Sequence, residues 1–200
     1  MGYKLKFKDK YGDYTGKTWN GNLDCSDLGL TSLEGAPKVV KGDFYCFNNK
    51  LTSLQYAPKV VKDDFYCFNN KLTSLKGAPE VVGGSFYCYD NKLTSLKYAP
   101  EVVKGGFYCH YNNLTSLEGA SKIINGFFDC SNNKLTSLQY VPEVVKGGFD
   151  CSYNPKLYEL TEDKLRKIVK AELYLFDYVP VPLTIYLERL RKKYKETKND

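Results

Sequence analysis

Seven cysteines, one histidine and a dense set of tyrosines and aspartates are the side chains of this 200-residue chain that could do chemistry. Cys25, Cys46, Cys67, Cys88, Cys109, Cys130 and Cys151 stand 21 residues apart and are all the cysteines present. Thiolate metal sites draw convergent ligands from Cys-x-x-Cys pairs or from histidine. This column is linear, flanked by phenylalanines, and contains no such pair. It predicts buried thiols that act as small hydrophobes. His110 has no serine or paired carboxylate near it in sequence, and Cys109 alternates to the opposite side of a strand, so no acid–base pair is assembled. These readings predict no catalytic residue, no metal and no cofactor.

The cysteine spacing belongs to a larger pattern. Residues 42–62 read Gly-Asp-Phe-Tyr-Cys-Phe-Asn-Asn-Lys-Leu-Thr-Ser-Leu-Gln-Tyr-Ala-Pro-Lys-Val-Val-Lys. Nearly the same run restarts at Asp63, Gly84, Gly105, Gly126 and Gly147, and a degenerate first copy starts at Gly21. A fixed period of this size predicts a solenoid whose units bury their apolar faces against their neighbours. Within a unit, residues 43–47 are short and aromatic and predict a strand. Asn48 and Asn49 turn the chain, and Leu51 and Leu54 point back to the core. Ala57-Pro58 sets a corner, since proline fixes φ. Val60 and Val61 form a second extended piece across the core. The asparagine column that begins at Asn49 is expected to satisfy backbone groups in the turns.

Alternate strand residues face opposite sides. The positions equivalent to Tyr45 and Phe47 become Asp24 and Ser26, Asp129 and Ser131, and Asp150 and Ser152 in three copies. Buried aspartates would carry a severe desolvation cost, so the cysteines face inward and this variable column faces out. The expected outward surface is an aromatic belt of Tyr45, Phe47, Tyr66, Phe68, Tyr87, Tyr89, Tyr108, His110 and Tyr111. Asp24, Asp43 and Asp64 flank it toward one end, and Asp129 and Asp150 toward the other. Contiguous exposed aromatics mark interaction surfaces, and aromatics are enriched at interfaces. The bland alternative is that tyrosine suits a sheet surface and was copied with the repeat.

The Phe-x-Cys-x-x-Asn-x-Leu run resembles the second half of the leucine-rich-repeat pattern. Phe44 and Cys46 stand at its strand leucines, Asn49 at its asparagine and Leu51 at the following leucine. The Thr-Ser-Leu-x-x-Ala-Pro stretch resembles the outer side of short bacterial and viral members. Phenylalanine in place of the first leucine, and Leu28 in place of the first asparagine, depart from the pattern. The resemblance covers residues 21–157. It implies an arc-shaped leucine-rich-repeat solenoid, mostly β, with a parallel concave sheet of about seven coils that binds another macromolecule. A ligase activity found after the repeats in some bacterial relatives is not transferred, because the tail contains no cysteine.

Outside the repeats, residues 3–7 alternate apolar and polar and predict, with residues 11–19, a β-hairpin cap over residues 1–20. Leu165, Ile168, Val169, Leu173 and Phe176, then Leu183, Tyr186, Leu187, Leu190 and Tyr194, predict a two-helix cap over residues 158–200. No apolar run is long enough to span a membrane. The N-terminus lacks the apolar core of a signal peptide, and the seven cysteines are odd in number with no Cys-x-x-Cys pair, which together predict a cytoplasmic protein; the sequence leaves the oligomeric state open, with a monomer as the default. The net charge of +6 raises nucleic acid as a partner, but aspartates beside the aromatic belt would repel phosphates. The expectation is a non-enzymatic module that binds another protein, as an inhibitor or host-directed effector of bacterial or phage type. A carbohydrate-binding adhesin is the alternative, and nucleic-acid binding stands behind both.

Overall fold

The structure, a computed structural model, describes residues 4–159. Each of the first six repeats supplies two strands, because each contains two apolar clusters separated by turn residues. One sheet runs in the order β1 (Thr18–Trp19), β3 (Val39–Val40), β5 (Val60–Val61), β7 (Val81–Val82), β9 (Val102–Val103), β11 (Ile123–Ile124) and β13 (Val144–Val145). The other contains β2 (Leu23–Asp24), β4 (Phe44–Tyr45), β6 (Phe65–Tyr66), β8 (Phe86–Tyr87), β10 (Phe107–Tyr108), β12 (Phe127–Asp129) and β14 (Gly148–Asp150). Every pairing is parallel and in 21-residue register, as in Phe44↔Phe65↔Phe86. The chain is therefore a parallel β-solenoid, and about six turns separate Leu23 from its equivalent Phe149.

One coil shows why the sequence folds this way. Phe44, Cys46, Leu51, Leu54 and Val61 are fully buried, and Ala57 nearly so. Burying each of the larger apolar side chains is worth roughly 1.5–3 kcal/mol, and the same positions recur in the coils above and below. The phenylalanines form a continuous ladder, with Phe44, Phe65 and Phe86 at successive centroid separations of 5.4 Å. The thiols lie inside this ladder and all seven are free and buried. Burial pushes them up, to about 12 for Cys151.

Asparagine fastens one coil to the next. Asn49 Nδ2 donates to the carbonyls of Cys25 at 2.8 Å and Cys46 at 3.1 Å, while its Oδ1 accepts from Leu30 N–H at 2.8 Å. Asn70, Asn91, Asn112, Asn133 and Asn154 repeat the arrangement. Each side-chain amide thus satisfies backbone groups of two coils that would otherwise be buried unpaired. The preceding turn residues, Asn48 and Asn69, adopt φ of 52° and 49°, a region that asparagine tolerates better than most residues.

The start of the chain differs from the expected hairpin. Residues Phe7–Tyr11 form a short helix, α1, and β1 pairs in parallel with β3. Lys6 makes a parallel bridge to Ser32, and its N–H is held by Asp9 Oδ2 at 2.9 Å. Phe7 is fully buried on the first leucine coil. The alternation of Leu5 and Phe7 therefore reports two side chains laid on the solenoid end, where the chain then coils through Gly12 at φ 82°. At the other end a 3₁₀ turn, Pro155–Glu159, follows the last coil. The expected helices from Leu165 to Tyr194 lie outside the described residues. Among the described residues no helix is long and apolar enough to cross a membrane.

Candidate functional site

The pleat sends Phe44 and Cys46 inward and Tyr45 and Phe47 outward, so β4, β6, β8 and β10 present two parallel rows of rings on one sheet face. The first row stacks Tyr45, Tyr66, Tyr87 and Tyr108 at 4.8, 4.6 and 4.7 Å, with interplanar angles of 15°, 2° and 4°. The second stacks Phe47, Phe68, Tyr89 and His110 at 4.6, 4.5 and 4.5 Å. Strand spacing of about 4.8 Å is what brings identical rings to this distance. Each row is roughly 14 Å long, set by three such steps. The rings are half-buried, because each covers its neighbour's face. What the rows offer to solvent is ring edges and hydroxyls.

A polar track runs beside the first row. Asn22, Asp43, Asp64 and Ser85 link side chain to backbone from coil to coil, as in Asp64 N–H donating to Asp43 Oδ1 at 2.9 Å and Ser85 N–H to Asp64 Oδ1 at 2.6 Å. The second carboxylate oxygens accept from the tyrosines: Tyr45 Oη donates to Asp43 at 2.7 Å and Tyr66 Oη to Asp64 at 2.8 Å. The Asp43 bond pushes the Tyr45 phenol up to about 12. Burial and the Asp64 bond push Tyr66 up as well. In the next two coils the track carries Ser85 and Gly106, so Tyr87 and Tyr108 have no carboxylate to receive their protons. One half of the first row is thus rich in acceptors, and the other half keeps hydroxyl donors.

Beyond the rows the chemistry turns polar. Asp129 Oδ1 accepts from the Ser131 hydroxyl at 2.7 Å and amide at 3.0 Å, and Asp150 Oδ1 from the Ser152 amide at 2.8 Å. Asp24 does the same with Ser26. An Asp-Cys-Ser coil is therefore a self-satisfied replacement for an aromatic one, and it bounds the belt on both sides. His110 Nδ1 lies 3.1 Å from Asp129 Oδ2, within ion-pair range but out of line for a hydrogen bond. Burial raises the pKa of Asp129, but the pull of His110 and Ser131 outweighs it and the net shift is downward. Ser131 gives its proton to Asp129 rather than to His110, so the trio is not arranged as a nucleophile with its base.

Of the twelve residues expected to form the site, eight stand in the two rows. Asp64 borders them, and Asp129 and Asp150 close the first row's column. Tyr111 does not belong to the strand belt. It occupies the turn at φ 50°, in the column of Asn48 and Asn69, and sets its ring edge-on to His110 at 5.5 Å. Phe127 extends the surface, 6.3 Å from Tyr108. Sequence reasoning passed over Tyr56, Tyr98 and Tyr140, which are among the most exposed aromatics at 53%, 55% and 54%. Their signal was present, since glycine and tyrosine alternate at that repeat position. Among the described residues no three His, Cys, Asp or Glu side chains are grouped to hold a metal ion. No protein-family model matches the chain, and searches of curated proteins and of solved structures find no match either.

Proposed function

We propose that this chain is a solenoid of leucine-rich-repeat type that binds another protein through the aromatic face of the sheet that contains β4, β6, β8 and β10, without catalysing a reaction. The observation that carries this reading is the pair of ring stacks, continuous over four coils and bounded on both sides by Asp-Cys-Ser coils. Interface cores favour large amphipathic side chains whose rotamers are already ordered, and stacked tyrosines have little rotamer freedom left to lose. Asp43, Asp64 and the lone pairs of Tyr45 and Tyr66 favour a basic group on the partner. Tyr87 and Tyr108 supply hydroxyls to its carbonyls. The resemblance to short bacterial and viral repeats supports an inhibitor or effector role, and seven unpaired thiols suit a reducing, cytoplasmic setting.

The stacking weighs against the two other readings. Sugars and bases are held on the faces of aromatic rings, and here neighbouring rings fill the inner faces. Affinity capture from the native host, using wild type beside Tyr87→Ala/Tyr108→Ala, tests the proposal. A stoichiometric partner that the variant loses supports it. Capture through the variant at undiminished yield, or glycan binding with no protein partner, overturns it.

A further inference from the structure

The corner preceding the valine and isoleucine strands β3, β5, β7, β9, β11 and β13 carries Gly35, Tyr56, Gly77, Tyr98, Gly119 and Tyr140 in successive coils. All six adopt positive φ, at 93°, 70°, 91°, 71°, 89° and 67° in that order. Glycine accepts this backbone freely, whereas an aromatic L-residue is strained by it. Tyrosine nevertheless holds every second corner and puts more than half of its surface into solvent. The glycine corners cannot be filled. A Cβ at Gly77 would stand 2.6 Å from Leu54 O, and one at Gly119 would stand 2.6 Å from Lys97 Cα. The result is a comb of three rings separated by fixed gaps.

Two depressions lie at those gaps. One of about 280 Å³ contains Gly35, Pro37 and Tyr56. The other, about 680 Å³, contains Gly119, Pro100 and the exposed Val102 and Ile123. Rings on alternate coils are separated by about 9.6 Å, twice the parallel strand spacing. On the aromatic sheet face, rings on four successive coils stack at 4.5–4.8 Å. Each gap in the comb therefore has the thickness of one aromatic ring, and beside Tyr98 it holds the Lys97 ammonium, 5.7 Å from the ring centroid, which an entering ring displaces.

We propose that this comb is a self-association surface, and that a second copy of the chain, running antiparallel about a two-fold axis, fills it. Three rings and three gaps alternate, so one register satisfies all of them. Tyr56 enters the gap at the second copy's Gly119, Tyr98 the gap at its Gly77, and Tyr140 the gap at its Gly35. Such an interface is isologous and closed, which stops growth at a dimer. Aromatic side chains bury roughly 150–250 Å² when fully covered, so six half-exposed rings supply on the order of 600 Å² and the gap walls a similar area. The sum, on the order of 1,200 Å², reaches the lower bound of stable interfaces. The same register sets Lys76 opposite the second copy's Lys97, so screening by salt strengthens the dimer. This surface is distinct from the aromatic sheet face and the proposal does not depend on that face's partner.

Sedimentation equilibrium of the full chain, at low and high salt, tests the proposal. Wild type is expected to dimerise, more tightly at high salt. Tyr56→Gly/Tyr98→Gly/Tyr140→Gly keeps a backbone suited to these corners, so its circular dichroism is retained while its dimer dissociation constant rises at least about tenfold. Register is read separately. Gln55→Cys combined with Glu118→Cys gives a covalent dimer under mild oxidation, and neither change alone does so. A wild type that remains monomeric across the accessible concentration range, or a triple variant that dimerises as well as wild type, overturns the proposal. So does a double-cysteine chain that fails to cross-link while the wild type dimerises, because the antiparallel register is then wrong.

Discussion

Asn91 shows how much a single side chain decides in this fold. Its amide donates to the carbonyls of Cys67 and Cys88 and accepts from Leu72 N–H, so three buried backbone groups depend on it. Leaving buried polar groups unpaired costs about 1–3 kcal/mol each. Asn91→Ala is expected to lower stability by about 3 kcal/mol or more in denaturant titrations, and Asn91→Asp by more, because it adds a buried charge and removes both donors. The thiols behave oppositely, buried as members of the apolar core. Thiol reagents at mildly alkaline pH are expected to leave all seven unmodified until the protein is unfolded, because thiolate rather than thiol reacts. Tyr45 adds a pH signature. Its phenol is raised to about 12 by Asp43, so the stability that it lends is whole below pH ~10, its unfolded value. That contribution falls as the pH rises through about 12. Asp43→Asn is expected to move this tyrosinate transition to lower pH in absorbance titrations. The inward cysteines were legible in sequence because aspartate alternates with them in three coils. Tyr111 was misjudged because a one-residue step beyond the strand moves a ring from the sheet face to a left-handed turn.

The two ring rows are elements in their own right. Each inner ring touches a neighbour on both faces, so the rows join the fold as well as the candidate interface. Aromatic pairs contribute about 0.5–1.5 kcal/mol beyond their area. Tyr87→Ala breaks two of them and is expected to lower the unfolding free energy by about 1–3 kcal/mol, while Tyr87→Phe, which spares both stacks, changes it little. Strands, their spacing and the outward belt could all be read from the repeats, because a period-21 pattern places like residues side by side. The stacking itself was not readable, since it depends on ring tilt rather than on residue order. The N-terminal helix also escaped. Residues 3–11 form no copy of the repeat, and the burial of Phe7 against the first coil outweighs the strand pattern.

Among the described residues, two surfaces of different character emerge: a continuous aromatic face bounded by aspartates, and a comb of isolated tyrosines on the corners. The repeat explains why both exist, since any side chain placed in one copy is multiplied along the stack. Departures from the repeat then set the bounds of each surface. Asp-Cys-Ser coils end the first surface, and glycine in alternate coils spaces the second. The central claim is that the first surface engages a protein. Its most direct measurement is the affinity of the captured partner for wild type, for Tyr87→Phe/Tyr108→Phe and for Tyr87→Ala/Tyr108→Ala, with folding of each checked by circular dichroism. The account predicts an intermediate loss for the phenylalanine pair and at least about a tenfold loss, roughly 1.4 kcal/mol, for the alanine pair. Equal affinity of all three folded proteins, with loss of binding instead in Lys50→Ala/Lys71→Ala on the turns, would contradict it.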